Sequence, residues 1–350
     1  MKISRNSLTD AVGKGILNPG QDDALWAFLA DQSAHTPSFK PAHILYYLGG
    51  LIAIGAMSLF MTLGWEQFRG GGLLAIASAY CVVALGLTEY LLNHRRLPLP
   101  AGLTAALAVV VVPLAVYGAQ HLLGYWPELT DQDNYREFHR RIDWRWMFME
   151  AATLAAGAAV LWRYRLPFSV MPVAVTLWYI SMDLTPILFG GDEAEFFSQR
   201  ARVVSTVFGA LMVVGAFVVD LRTRRDRDFA FWLYLFGVLT FWGGLSSLDS
   251  DSELGKAVYA AVNLLLIAIG ATLSRRVFAV FGGLGFAGYL GHLAYSVFQG
   301  SMLFPLALTA IGLGVIAAGA YWQKHEAAIG HALRRWLPLA LQELLEQRAA

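Results

Sequence analysis

Ten stretches of the chain are apolar almost without a break, at about 43–65, 71–93, 99–123, 146–163, 167–189, 203–221, 229–248, 256–274, 276–298 and 302–322. Each is near the roughly 20 residues an α-helix needs to cross the hydrocarbon of a bilayer. Short polar connections separate them. The pattern predicts an all-α fold, a polytopic integral membrane helix bundle of about ten transmembrane helices spanning 43–322.

The two ends of the chain read differently. Residues 1–42 predict a cytosolic helical hairpin. Ser7 with Asp10, and Asn18-Pro19-x-Gln21, fit capping boxes, and Gly13-Lys14-Gly15 between them fits a helix stop. Ala24, Leu25, Phe28 and Leu29 form an apolar stripe. A piece this short cannot bury a core alone. It is expected to dock on the membrane domain, on a second copy in a homo-oligomer, or on a protein partner. Residues 323–350 predict an amphipathic interfacial helix, with Leu333, Trp336, Leu337, Leu341, Leu344 and Leu345 on one side and Pro338 bending it. The outer connection 124–145 is charged and aromatic, and short enough to be one surface helix.

One span stands apart. Along 276–298, Gly283, Ala287, Gly291 and Ala294 fall on one side of a helix, and Gly285, Gly288, His292 and Ser296 on the other. Small residues let membrane helices approach closely. The expectation is a central helix, enclosed by protein on two faces, with His292 inside. A weak likeness between LYYLGGLIAIGAMSLF, from Leu45, and LYLFGVLTFWGGLSSL, from Leu233, fits a parallel repeat of hairpins or chance.

Composition agrees with the pattern. The chain is 57% hydrophobic and 15% charged, where soluble proteins carry about 25% charged residues. A net charge of +1 offers no field for nucleic acid. Cys81 is the single cysteine, which excludes an intrachain disulfide and a thiolate metal cluster. The first forty residues lack the pattern of a cleaved signal, so the first span is expected to direct insertion. With ten spans, 18 Lys and Arg fall on the side of the amino terminus and 8 on the other. That bias predicts both termini in the cytoplasm. It also puts Trp65, Trp126, Trp144 and Trp146 at the outer boundary, and Trp162, Tyr321 and Trp322 at the inner one.

Four stretches carry a resemblance. They are Gly15-Ile16-Leu17-x-Pro19-x-Gln21; Tyr47-x-Gly49-x-Leu51-Ile52-x-Ile54-Gly55-Ala56 closing at Trp65; Asp220-x-Arg222 followed by Asp228-Phe229-Ala230-Phe231-Trp232; and Gly288-Tyr289-Leu290 through Phe304-Pro305. In these the chain resembles the bacterial domain of unknown function 2157 family. The resemblance implies a multi-pass protein of the bacterial cytoplasmic (inner) membrane, with the lipid bilayer as its surroundings. It implies no activity, no cofactor and no functional residue.

Candidate chemistry lies in ionisable groups within the apolar spans, each costing roughly 2.5–3.5 kcal/mol on insertion scales unless answered by a partner or water. Four fall in the outer third. His121 follows Pro113 and Tyr117, Glu150 begins the fourth span, and His292 lies on the ninth. Asp183 shares a face with Thr176 and Tyr179, with Pro186 beyond. Together they suit a polar pocket open to the outside, relaying a proton or holding a cation. The plainer reading is a set of separate interhelical hydrogen bonds, with Glu150 among the headgroups. Whether any of these groups binds metal is left open by the sequence.

Other groups read more simply. Glu89 fits a salt bridge to Arg95 or Arg96, or snorkelling. The run from Asp220 through Arg222, Arg224 and Arg225 fits a staple between helix ends, or a site for anionic lipid. Gly283-x-Gly285-x-x-Gly288 matches a dinucleotide pattern but lies in a membrane span, without the strand that pattern needs. Asp131-x-Asp133 and Asp249-x-Asp251 could coordinate a cation but read as acids in polar loops, and His139 with Asp143, at i and i+4 on an outer helix, read as a solvated charged face.

Three functions fit: a carrier or channel for a small solute, ion or proton; a non-catalytic scaffold or sensor docking partners through the hairpin; and an intramembrane enzyme acting on lipid or an envelope precursor, with Asp183, His121 and His292 as acid–base groups.

Overall fold

The computed structural model describes residues 5–33, 44–50 with parts of 52–59, 69–126, 144–189, 198–223, 227–248, 250, 252–273 and 275–293, and short helical stretches within 305–317. The outer connection 127–143, the expected carboxy-terminal helix and more than half of the tenth apolar stretch fall outside these residues, as do Arg224 and Arg225. The described residues are helical, without a strand among them. Five helical segments are long and apolar enough to cross a membrane: Gly70–Asn93, Pro98–Leu122, Pro167–Thr185, Gln199–Arg222 and Glu253–Leu273. This is a membrane protein by the length and composition of its helices.

The helices are α1 (Arg5–Gly13), α2 (Gln21–Ser33), α3 (Arg69–Asn93), α4 (Pro98–Val110), α5 (Val112–Leu122), α6 (Trp144–Tyr164), α7 (Val170–Phe189), α8 (Gln199–Arg222), α9 (Phe231–Ser247), α10 (Glu253–Leu273) and α11 (Arg276–His292), with a 3-10 turn at Pro167–Ser169 before α7. They fall into two compact units. The first holds the described residues up to Val173 together with the loop Thr223–Phe229. The second begins at Ala174 and holds α8 to α11.

In the first unit, α1 and α2 pack on each other. The stop lies where glycine was read. Gly15 is left-handed (φ 72°), and the amides of Gly15 and Ile16 reach back to the carbonyls of Val12 and Ala11, a Schellman closure. Gln21 Oε1 accepts the Asn18 amide at 3.0 Å, half of the second capping box. Ser7, expected at a helix start, lies within α1.

Helix α3 packs on both α4 and α5, and α6 packs across them. The Pro98–Leu122 span is bent at Val111, because Pro113 has no amide to continue the ladder. Leu73, Ala77, Val111, Leu114, Tyr117 and Met149 form the core. The close approach of α3 to α5 rests on two glycines. A Cβ on Gly118 would meet the Gly70 carbonyl and the Leu74 amide at 2.7 Å, and one on Gly70 would meet the Gly118 carbonyl.

In the second unit, α8 lies along α9, and α10 along α11. Ala216, Ala230, Tyr234, Val238, Leu266 and Phe278 fill the core. Gly209 brings α8 onto the backbone of α9 at Phe241.

Among the five described apolar spans, two are more enclosed than the others. Half of the most apolar window of Pro98–Leu122 is buried (50%), and 44% of that in Pro167–Thr185, against 22% in each of the other three. Helix α11 is enclosed on one side. Phe278, Gly282 and Gly285 are buried toward α10, whereas Gly283, Gly288 and Gly291 have no described neighbour within 4 Å. Its glycines divide into a packed face and an open one.

Candidate functional site

Polar side chains gather in each unit. In the first, α5 ends in a Schellman closure at Gly124 (φ 75°), with the Tyr125 amide bonded to the Gln120 carbonyl. This turns Trp126 back onto the helix. Its indole N–H donates to Gln120 Oε1 at 3.0 Å, and Gln120 Nε2 donates to the Arg145 carbonyl at 3.2 Å. The Arg145 guanidinium lies 4.7 Å from the Trp126 ring centroid and 5.8 Å from that of Trp144. A cation beside two indoles is attracted by the negative faces of their rings.

Two predicted site residues belong here. His121 stands edge-on to Tyr117, 6.0 Å between ring centroids, with its Cβ against Gly70 of α3. Glu150, on α6, is half-buried with its Oε1 shut off from solvent.

In the second unit, α7 carries the deepest candidate. Asp183 is 7% exposed, and Thr176, Ser181 and Thr185 on the same helix are buried as well. Ser181 Oγ donates to the Trp178 carbonyl at 2.6 Å. Ser205 Oγ, from α8, donates to the Ser181 carbonyl at 3.4 Å. The Thr185 hydroxyl is fully buried with no hydrogen-bond partner among the described residues. Tyr179, predicted on the Asp183 face, is half-exposed with its ring beside Trp178. His292 lies at the end of α11, its Nε2 3.7 Å from Glu253 Oε1. Glu253 also accepts from Lys256 Nζ at 2.8 Å. His292 therefore has a carboxylate at the start of α10 as its ionic neighbour.

Two buried polar clusters have partners that the sequence reading does not name. Asp220 Oδ1 pairs with Arg275 Nη2 at 2.6 Å, and its Oδ2 accepts from the Tyr234 hydroxyl at 3.3 Å. The Arg275 guanidinium also sits 5.4 Å from the Tyr234 ring centroid. The staple expected at Asp220 exists, but it ties α8 to the start of α11. Halfway along α10, Asn263 is fully buried. Its Nδ2 donates to the Tyr259 carbonyl at 2.8 Å and its Oδ1 accepts from the Trp242 indole at 3.2 Å. Gly285 leaves the space its carboxamide fills. An amide midway through the 256–274 stretch, facing a glycine-rich span, was the available signal.

Glu89 differs from expectation too. Its Oε1 pairs with Arg163 Nη2 at 2.9 Å and its Oε2 accepts from Asn93 at 2.8 Å. Arg95 bonds the Tyr90 hydroxyl instead. The partner lies 74 residues away in sequence, beyond what local spacing reveals. No family model, curated protein or solved structure matches this chain.

Proposed function

We propose that the protein is a multi-pass carrier or channel of the bacterial inner membrane, with both termini cytoplasmic, that passes a proton or small cation by way of Asp183. The observation carrying this reading is a carboxylate 7% exposed in one of the two most enclosed apolar spans. Burial of that kind costs free energy that a purely structural helix avoids. The buried hydroxyls of Thr176, Ser181 and Thr185 add oxygen ligands along the same helix, the donor type a dehydrated alkali cation or proton relay uses. The resemblance to the domain of unknown function 2157 family fits the location and is silent on activity.

The test is flux in proteoliposomes under an imposed potential, read with an entrapped pH dye and with sodium or potassium indicators. Asp183→Asn is expected to abolish flux while leaving the thermal unfolding temperature near that of the parent protein. Equal flux in parent and variant overturns the reading, as does parent protein that passes none of the three ions.

A second reading is favoured by the hairpin. Phe28, in the stripe expected to dock, is 63% exposed, and Ile16, at the turn of the same hairpin, is 73% exposed. A scaffold that recruits a protein through residues 1–42 accounts for that. Deleting 1–40 then removes the co-purifying partner and leaves flux unaffected.

A further inference from the structure

Two turns of the first unit are built alike. Arg96-Leu97-Pro98 follows α3, and Arg165-Leu166-Pro167 follows α6. In each, arginine takes the left-handed conformation (φ 54° and 52°), leucine precedes the next helical turn in a more extended conformation, and proline opens that turn. Helix ends of this kind favour glycine, because a Cβ is strained at positive φ. The same chain uses glycine at Gly15 and Gly124 for that purpose. At the two membrane-helix ends on the side its charge bias assigns to the cytoplasm, it carries arginine instead.

The two turns lie together. Leu166 packs with Ala101 and Ala105 of α4, and with Leu91, Leu92, Val160 and Tyr164 from the ends of α3 and α6. The Glu89–Arg163 pair ties those ends across the cluster. Arg227, from the loop Thr223–Phe229, donates to the Arg165 carbonyl at 3.3 Å, adding a third guanidinium. Apolar side chains are exposed beside them: Trp162 is 79% exposed and Leu97 37%. Cations beside lipid-seeking side chains mark the level of the headgroups. Among the described residues, the Arg96 and Arg165 side chains have no ionic partner.

We infer that Arg96, Arg165 and Arg227 form a binding site for the phosphate of an anionic phospholipid headgroup at this end of the first unit. Guanidinium groups suit phosphate because their N–H fork matches its oxygens. The site is separate from Asp183 and does not depend on transport. A cation at a helix carboxy end also complements the helix dipole, but that effect is indifferent to lipid, and this difference is what the experiment reads.

Full-length protein in neutral detergent is titrated with phosphatidylglycerol, phosphatidylcholine or inorganic phosphate while its unfolding temperature is followed. The variant Arg96→Asn/Arg165→Asn keeps a residue that tolerates the left-handed conformation and removes both charges. Phosphatidylglycerol is expected to raise the unfolding temperature of the parent protein and of Arg200→Gln, a charge removed on the side that the charge bias assigns to the outside. The double variant should need about thirtyfold more of it, and Arg227→Gln about fivefold more. Phosphatidylcholine and inorganic phosphate should do little. If the double variant does not fold, Arg227→Gln decides the matter. An unchanged response in these variants, no response in the parent protein, or inorganic phosphate matching the lipid overturns the assignment.

Discussion

Arg275, the residue that opens α11, reaches Asp220 near the end of α8 and closes an ion pair of 2.6 Å in which the carboxylate is almost wholly buried. The Tyr234 hydroxyl completes the carboxylate's second oxygen. Removing one partner of a buried pair strands the other, which costs about 3–5 kcal/mol. Asp220→Ala and Arg275→Ala are therefore each expected to lower the unfolding temperature strongly. Their combination should lose clearly less than the sum of the two, since no stranded charge remains. Tyr234→Phe should cost only about 1 kcal/mol. Thermal unfolding of the purified variants in neutral detergent checks all four.

The glycines make opposite predictions according to their neighbours. A methyl group at Gly118 meets backbone atoms of α3 at 2.7 Å, and one at Gly209 overlaps the Phe241 backbone. Backbone cannot move aside as a flexible side chain can, so Gly118→Ala and Gly209→Ala should separate helix pairs and destabilise the protein by about 2 kcal/mol or more. Gly215 and Gly283 are helical, and a Cβ there would meet no described residue within 4 Å. There alanine only restricts the unfolded chain, and a gain of about 0.5–1 kcal/mol is expected from Gly215→Ala and Gly283→Ala. The same unfolding assay separates the two classes.

These contrasts show what the sequence discloses. Apolar length places most of the described membrane helices within a few residues, because hydrocarbon thickness imposes a requirement that local composition must meet. Gly15 is equally legible, since a left-handed helix end has few alternatives to glycine. Which glycine faces a neighbour is not legible. Gly283 and Gly285 look alike in the sequence, and only the position of Asn263 on another helix distinguishes them. The ion pairs are hidden for the same reason. Arg275 and Asp220, or Arg163 and Glu89, are brought together by helix packing, and the nearer arginines in sequence mislead. Asp183 was singled out because charge in an apolar span is conspicuous wherever its partners lie.

The Glu89–Arg163 pair invites comparison with Asp220–Arg275. Its length is similar, 2.9 Å, but both side chains are more than a third exposed. Water and salt screen such a pair, and its usual worth is about 0–1 kcal/mol. Glu89→Gln should thus shift the unfolding temperature by a small fraction of the Asp220→Ala effect. That small shift should fade further when salt is raised from 50 mM to about 1 M, where the screening length falls to about 3 Å. The Asp220→Ala loss should persist at high salt. Unfolding curves at the two salt levels test the distinction.

The orientation of the spans is open to the same kind of test, because the chain has one cysteine to remove. Cys81 lies inside the Gly70–Asn93 span, so a membrane-impermeant maleimide should not label it in intact cells. In a Cys81→Ser background, His94→Cys reports the turn after α3 and Tyr125→Cys the turn after α5. The Pro98–Leu122 span lies between them. At 1.5 Å per residue its 25 residues extend about 37 Å, enough to cross hydrocarbon about 30 Å thick despite the bend at Val111. Arg95 and Arg96 draw the first turn to the cytoplasm, and the Trp126–Arg145–Trp144 stack suits the far interface. Intact cells should accordingly label Tyr125→Cys and not His94→Cys, and both should react once the membrane is permeabilised. The reverse pattern would invert the orientation. Labelling of both in intact cells would mean that the most enclosed of the five described apolar spans does not cross the bilayer.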